Sequence, residues 1–112
     1  MALKPLVFEI LLALSGSAPR EGRHGWDLVH EIRERGAFTD VMPGNFYRTL
    51  RGMLADGLIE DVPGRRKSEP GVERRRYFRL TAAGAAAAAA EARRLEALVH
   101  ESRARRLLTR KG

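Results

Sequence analysis

A mainly α-helical α+β fold, in which three helices lead into a two-stranded hairpin and then a long terminal helix, is predicted by three features of the 112-residue sequence. Apolar residues recur at three- and four-residue spacing in three early stretches, and two short β-type runs flank a basic, Pro-Gly-containing loop. An alanine-rich run then continues into a narrow apolar face near the chain end. The length suits one compact domain with an appendage and is too short for two deep cores.

The first helix spans residues 4–15, where Leu3, Leu6, Val7, Ile10, Leu11 and Leu14 share a face and Gly16 follows. Phe8 and Leu12 lie on its other side, so this helix needs a second apolar partner, either the last helix or another copy of the chain. "SGSAPREGR" is a loop by composition. The second helix spans residues 24–36, with Leu28, Val29 and Ile32 inward and Gly36 as C-terminal cap. In "MPGNFYRTLRGMLADGLIE", residues 42–60, Phe46, Leu50, Met53 and Leu54 form the buried stripe of a third helix. At about 100° per residue, Gly44, Arg48, Arg51, Gly52 and Ala55 fall on its outer side.

After Gly57, "LIEDV" has strand character, "PGRRKSEPG" holds two Pro-Gly pairs, and "VERRRYFRLT" returns as a second strand. In the return strand Phe78 and Leu80 take one face, while Arg75, Tyr77 and Arg79 take the other. Thr81 is placed as N-cap of a final helix over about residues 82–108. Leu95, Leu98, Val99 and Ser102 form its narrow face, joined by Ala88 and Ala92. Such a helix outruns a small domain and has a stripe that one copy of the chain cannot cover. A homodimer through Phe8, Leu12, Leu95, Leu98 and Val99 is therefore expected, with residues 1–80 as one unit and 81–112 as the dimerisation helix.

The formal charge of +7 is unevenly spread. Residues 1–63 carry seven Lys or Arg against nine Asp or Glu (−2), residues 64–79 seven against two (+5), and residues 80–112 seven against three (+4). A short +5 segment fits contact with a phosphate backbone, because neutralised phosphates release counterions; a solubilising loop is the plainer alternative. Small residues around Arg48 and Arg51 would let the third helix approach a major groove, where arginine reaches guanine edges or phosphates. Tyr47, at the edge of the stripe, is positioned to pack its ring on the core and donate its hydroxyl to a phosphate. Three helices and a basic hairpin make a winged helix-turn-helix, with the third helix for the groove of double-stranded DNA and the hairpin for its flanking backbone. The wing cations are Arg65, Arg66, Lys67, Arg74, Arg75 and Arg76.

"HGWDLVHEI", "PGNFYRTLRGMLADGLIE" and "RRRYFRLTAAG" resemble, in order and spacing, the landmark segments of the PadR family of bacterial transcriptional regulators. The likeness covers nearly the whole chain. It implies a winged-helix DNA-binding domain, a dimer held by the C-terminal helix with help from the first, and repression of nearby genes. It also implies that Gly44, Asn45, Tyr47 and Arg48 lie against DNA. Met42 departs from the Ser or Thr often found as cap of the third helix, leaving Asp40 as the candidate N-cap. Trp26 stands where Tyr is usual, and Glu69 and Glu73 lower the wing's attraction for phosphate.

Other chemistries have little support. There are three histidines, none of them an i, i+4 pair, and no cysteine, so neither a metal site nor a disulfide is expected. No phosphate-binding glycine loop or nucleophile motif is present, which argues against an enzyme and against a bound cofactor. The longest apolar run is broken by Glu9 and is too short to span a membrane, and no secretion signal is evident, so a cytoplasmic protein is expected. Trp26, the sole tryptophan, is expected in the core, with the wall of an unidentified small-molecule effector pocket as the other reading. The leading expectation is a dimeric, sequence-specific DNA-binding repressor on a near-palindromic operator. The alternative is a winged-helix protein-interaction module whose basic hairpin faces an acidic partner.

Overall fold

The computed structural model describes residues 3–16, 22–36, 43–62 and 77–108. Along the chain run α1 (Pro5–Ser15), β1 (Arg23–His24), α2 (Gly25–Glu34), α3 (Pro43–Ala55), β2 (Ile59–Asp61), β3 (Tyr77–Leu80) and α4 (Ala82–Ala104). The strands form one antiparallel sheet in the order β1-β3-β2, with Arg23 opposite Phe78 and Ile59 opposite Leu80. This is a mainly α winged helix, as the sequence predicts, with one addition. A third strand, β1, pairs with the hairpin; its Arg23 lies within the stretch read as loop, and two residues are too few to show a period of their own.

The predicted stripes meet in one core. Ile10, Leu11 and Leu14 of α1, Leu28, Val29 and Ile32 of α2, and Phe46, Leu50 and Met53 of α3 are buried with Ile59 and Phe78 of the sheet. Leu54 is only partly buried, since it lies at the stripe's margin. Trp26 is 52% exposed, correcting its placement in the core. Its ring stands edge-on to His30, 4.8 Å between centroids, and both lie on the solvent side of α2.

Two glycines set how the elements join. Gly57, at φ +75°, closes α3 in a Schellman motif, in which Leu58 N–H donates to Met53 O (3.0 Å) and Gly57 N–H to Leu54 O (3.1 Å). That turn aims the chain directly into β2. Gly84, in the first turn of α4, lies so close to the turn into β2 that a Cβ there would stand 1.9 Å from Leu58 O. Thr81 caps this helix by accepting from Gly84 N–H at 3.0 Å, and its hydroxyl donates to Gly57 O at 2.5 Å.

A polar network fixes α1, β1 and α2 together. Arg35 donates to Glu9 Oε1 and to Glu31 Oε2, each at 2.6 Å, while Arg23 pairs with the second Glu31 oxygen and donates to Ala13 O at 3.3 Å. Partial burial pushes the Glu31 carboxyl up, but hydrogen bonds from Arg23 and Arg35 outweigh it and hold it below its ordinary value. The Arg35 guanidinium moves upward, because its bonds to Glu9 and Glu31 outweigh its desolvation.

The start of α4 is anchored in the body and its remainder is not. Gly84 and Glu91 are buried and Ala87 and Ala88 pack against the core, whereas Leu98, about two turns beyond Glu91, is 52% exposed. Glu91 receives a two-pronged contact from Arg94 (2.9 and 2.6 Å) and the Leu3 N–H at 3.4 Å. The Arg94 hydrogen bonds, against the cost of desolvation, hold its carboxyl below the usual range. The helix ends at Ala104, earlier than the predicted 108, where Arg106 takes a positive φ of 64°.

Candidate nucleic-acid interface

The outer face of α3 is fixed by what its inner face buries. Phe46, Leu50 and Met53, each no more than 2% exposed, hold one side of the helix in the core. The 3.6-residue period then turns Gly44, Asn45, Arg48, Arg51, Gly52 and Ala55 to solvent. Arg48 Nη1 donates to Asn45 Oδ1 at 2.9 Å, and Thr49 Oγ1 donates to Asn45 O at 2.9 Å. Asn45, assigned through resemblance alone, thus orients the Arg48 guanidinium from one turn earlier.

Arg48 and Arg51 differ from the ion-paired arginines of the fold in what surrounds their charge. Arg23, Arg35, Arg79, Arg94 and Arg105 are each paired with a carboxylate, of Glu31, Glu9 and Glu31, Glu60, Glu91 and Glu101 respectively. Among the described residues Arg48 and Arg51 have no ion pair, so their charge is presented outward without an internal neutraliser. The glycines on this face are likewise not required by internal packing. A Cβ on Gly44 or Gly52 would meet no atom within 4 Å. Since glycine in a helix interior costs about 1 kcal/mol relative to alanine, its use at Gly52 needs a reason outside the folded chain.

Tyr47 sits further in than its neighbours. Its ring is edge-on to Phe46, with centroids 5.4 Å apart, and its hydroxyl end lies 3.4 Å from where a Cβ on Gly25 would stand. The Tyr47 hydroxyl is therefore beside the first residue of α2, at a helix N-terminus, rather than projecting from the outer face of α3. That N-terminus is capped by His24, whose Nδ1 accepts from Trp26 N–H at 3.1 Å. Sequence reasoning missed His24 as a cap because histidine is not among the usual N-cap residues.

The sheet carries the base of the wing. Val62 N–H donates to Tyr77 O at 3.0 Å, so the two ends of the intervening segment are held together. Arg65, Arg66, Lys67, Arg74, Arg75 and Arg76 lie outside the described residues, as do Asp40 and Met42 at the approach to α3. Of the proposed seam, Leu12, Leu98 and Val99 are exposed and Phe8 and Leu95 partly buried.

Among the described residues no cluster of three or more potential ligands is placed to hold a metal ion, and no helix is long and apolar enough to cross a membrane. Compared with protein families, residues 11–90 match the family model described as the transcriptional regulator PadR-like family. No curated protein and no solved structure gave a match.

Proposed function

The chain belongs to the PadR-like family of transcriptional regulators, and from this membership we propose that it is a sequence-specific DNA-binding repressor, working in the cytoplasm as a homodimer on a near-palindromic operator. One observation carries the DNA reading: α3 offers solvent an outer face with two unneutralised arginines among glycines that internal packing does not need. Such a face lets the backbone come near a groove while each arginine spans the remaining distance.

In this reading Gly44 and Asn45 face the duplex, Arg48 reads a base and Arg51 holds a phosphate. Tyr47 acts near a phosphate from beside the α2 N-terminus, where backbone N–H groups also favour anions. The cations of residues 65–67 and 74–76 hold the flanking backbone. Residues 1–80 form the DNA-binding part and 81–112 the dimerisation helix, through Phe8, Leu12, Leu95, Leu98 and Val99.

The test is a footprint on the DNA bordering the gene, combined with binding to specific and random duplex across salt concentrations. A two-fold symmetric footprint and a steep salt dependence are expected. Arg48→Ala should cost about 1 to 3 kcal/mol on the operator and relax preference at one position per half-site, with random duplex little affected. A footprint left unchanged by Arg48→Ala combined with Tyr47→Phe would remove α3 as the reading head.

A further inference from the structure

Asn45, the third residue of α3, and Arg48, about one turn later, both stand exposed on the outer face of the helix. A hydrogen bond from Arg48 Nη1 to Asn45 Oδ1 at 2.9 Å joins them. Arginine carries donors and no acceptor, so this contact makes the amide turn its oxygen to Arg48 and its NH2 elsewhere. The Nε and Nη2 edge of the guanidinium takes no part in the bond and keeps two parallel N–H donors. Arg51, on the same face, has no such guide, since Tyr47 and Arg48 stand four and three residues before it.

We infer that Asn45 is a positioning residue that commits Arg48 to guanine and gives up reading adenine itself. This role rests on the DNA reading of α3, and it adds the identity of the base. A long exposed arginine samples many rotamers, and the phosphates beside a groove attract its charge in all of them. Held by Asn45, the guanidinium keeps its remaining edge as a fixed fork, whose two donors match O6 and N7 of guanine in the major groove. Adenine offers N7 beside an amino group and cannot accept both. Asparagine reads adenine with one flat amide, accepting from N6 and donating to N7. With its oxygen on Arg48, Asn45 cannot lay its amide along an adenine edge, and its NH2 is left to donate to a phosphate or a base acceptor. Arg51, unguided, keeps the phosphate role.

Selection from a random duplex pool by the full chain, followed by binding to single-base variants of the selected half-site, provides the test. One guanine per half-site should depend on Arg48. Replacing it by adenine, or by 7-deazaguanine, which lacks the N7 acceptor, should weaken wild type about tenfold and leave Arg48→Ala unaffected. Asn45→Ala should cut the preference for guanine over adenine severalfold, with affinity for random duplex little changed. Asn45→Asp keeps an acceptor for Arg48, so it should restore the preference, at a lower affinity for every sequence because phosphates repel its charge. Helix content should match wild type in both Asn45 variants, since this side chain is exposed. A guanine preference that survives intact in Asn45→Ala overturns the positioning role. So does an adenine that wild type requires and Asn45→Ala ignores, which would make Asn45 the reader. A wild-type chain that enriches no sequence from the pool refutes the DNA reading itself, and with it this role of Asn45.

Discussion

Glycine has opposite consequences at two positions of this chain, and the difference lies in what stands beside each one. At Gly84 a methyl group would be driven 1.9 Å from Leu58 O, a backbone atom that also accepts from Thr81 N–H at 3.2 Å. Gly84→Ala should therefore destabilise the fold by about 2 to 3 kcal/mol, despite alanine's better helix propensity. At Gly52 the surrounding space is empty, so Gly52→Ala should stabilise by about 0.5 to 1 kcal/mol. Denaturant midpoints of the two variants would check both signs. If Gly52→Ala gained stability and lost operator affinity, the glycine would be serving close approach. Gain without loss would mean that α3 stands further from its target than proposed.

At the scale of elements, legibility in the sequence followed the range of the interactions. The stripes of α1, α2 and α3 could be read because a 3.6-residue period is local, and the outer face of α3 came with them as its complement. What could not be read depends on distant partners. β1 exists because Arg23 and His24 meet Phe78 and Tyr77 across the fold, and Glu91 is buried because α4 passes the start of α1. Trp26 was misplaced since a lone tryptophan gives no sign of which helix face it occupies until the core is assembled. The charge of the wing was legible from composition, while its geometry lies outside the described residues. The Glu9–Arg35–Glu31–Arg23 network makes a prediction of its own. Glu31 is held below its ordinary value of 4.5, so its contribution is present above that pH and is lost as pH falls through the lower folded value. Melting temperature should therefore fall as acid is added below about pH 4.5. Glu31→Gln should lower it at neutral pH, and the gap between variant and wild type should close towards low pH. A gap of constant size would show that Glu31 acts through packing or neutral hydrogen bonding instead of charge.

For the molecule as a whole, shape and surface chemistry make the same demand. Its extents are 55 × 28 × 22 Å and its radius of gyration is 15.8 Å. A compact chain of this length would have a radius of roughly 13 Å. The excess comes from α4, a helix of 23 residues and about 35 Å at 1.5 Å per residue, whose part beyond Glu91 is not anchored in the body. Leu98 and Val99 emerge on this part at 52% and 41% exposure, and Leu12 of α1 adds a further 44%-exposed side chain. Water is a poor neighbour for a leucine and a valine at adjacent positions on one helix, and a second copy of the same face would cover them with no new chemistry. A two-fold pair would also present two α3 helices to DNA, as half-sites about one helical turn, or roughly 34 Å, apart require. Leu98→Asp puts an unpaired carboxylate into that seam. Because burying such a charge is costly, it should convert the dimer into monomer while leaving each protomer's core intact, since Leu98 is not part of that core. Sedimentation should then show half the wild-type mass with unchanged helix content, and operator affinity should drop towards that of a single half-site. A wild-type chain that sediments as a monomer at micromolar concentration would leave the exposed leucines without this partner and the palindromic operator without its cause.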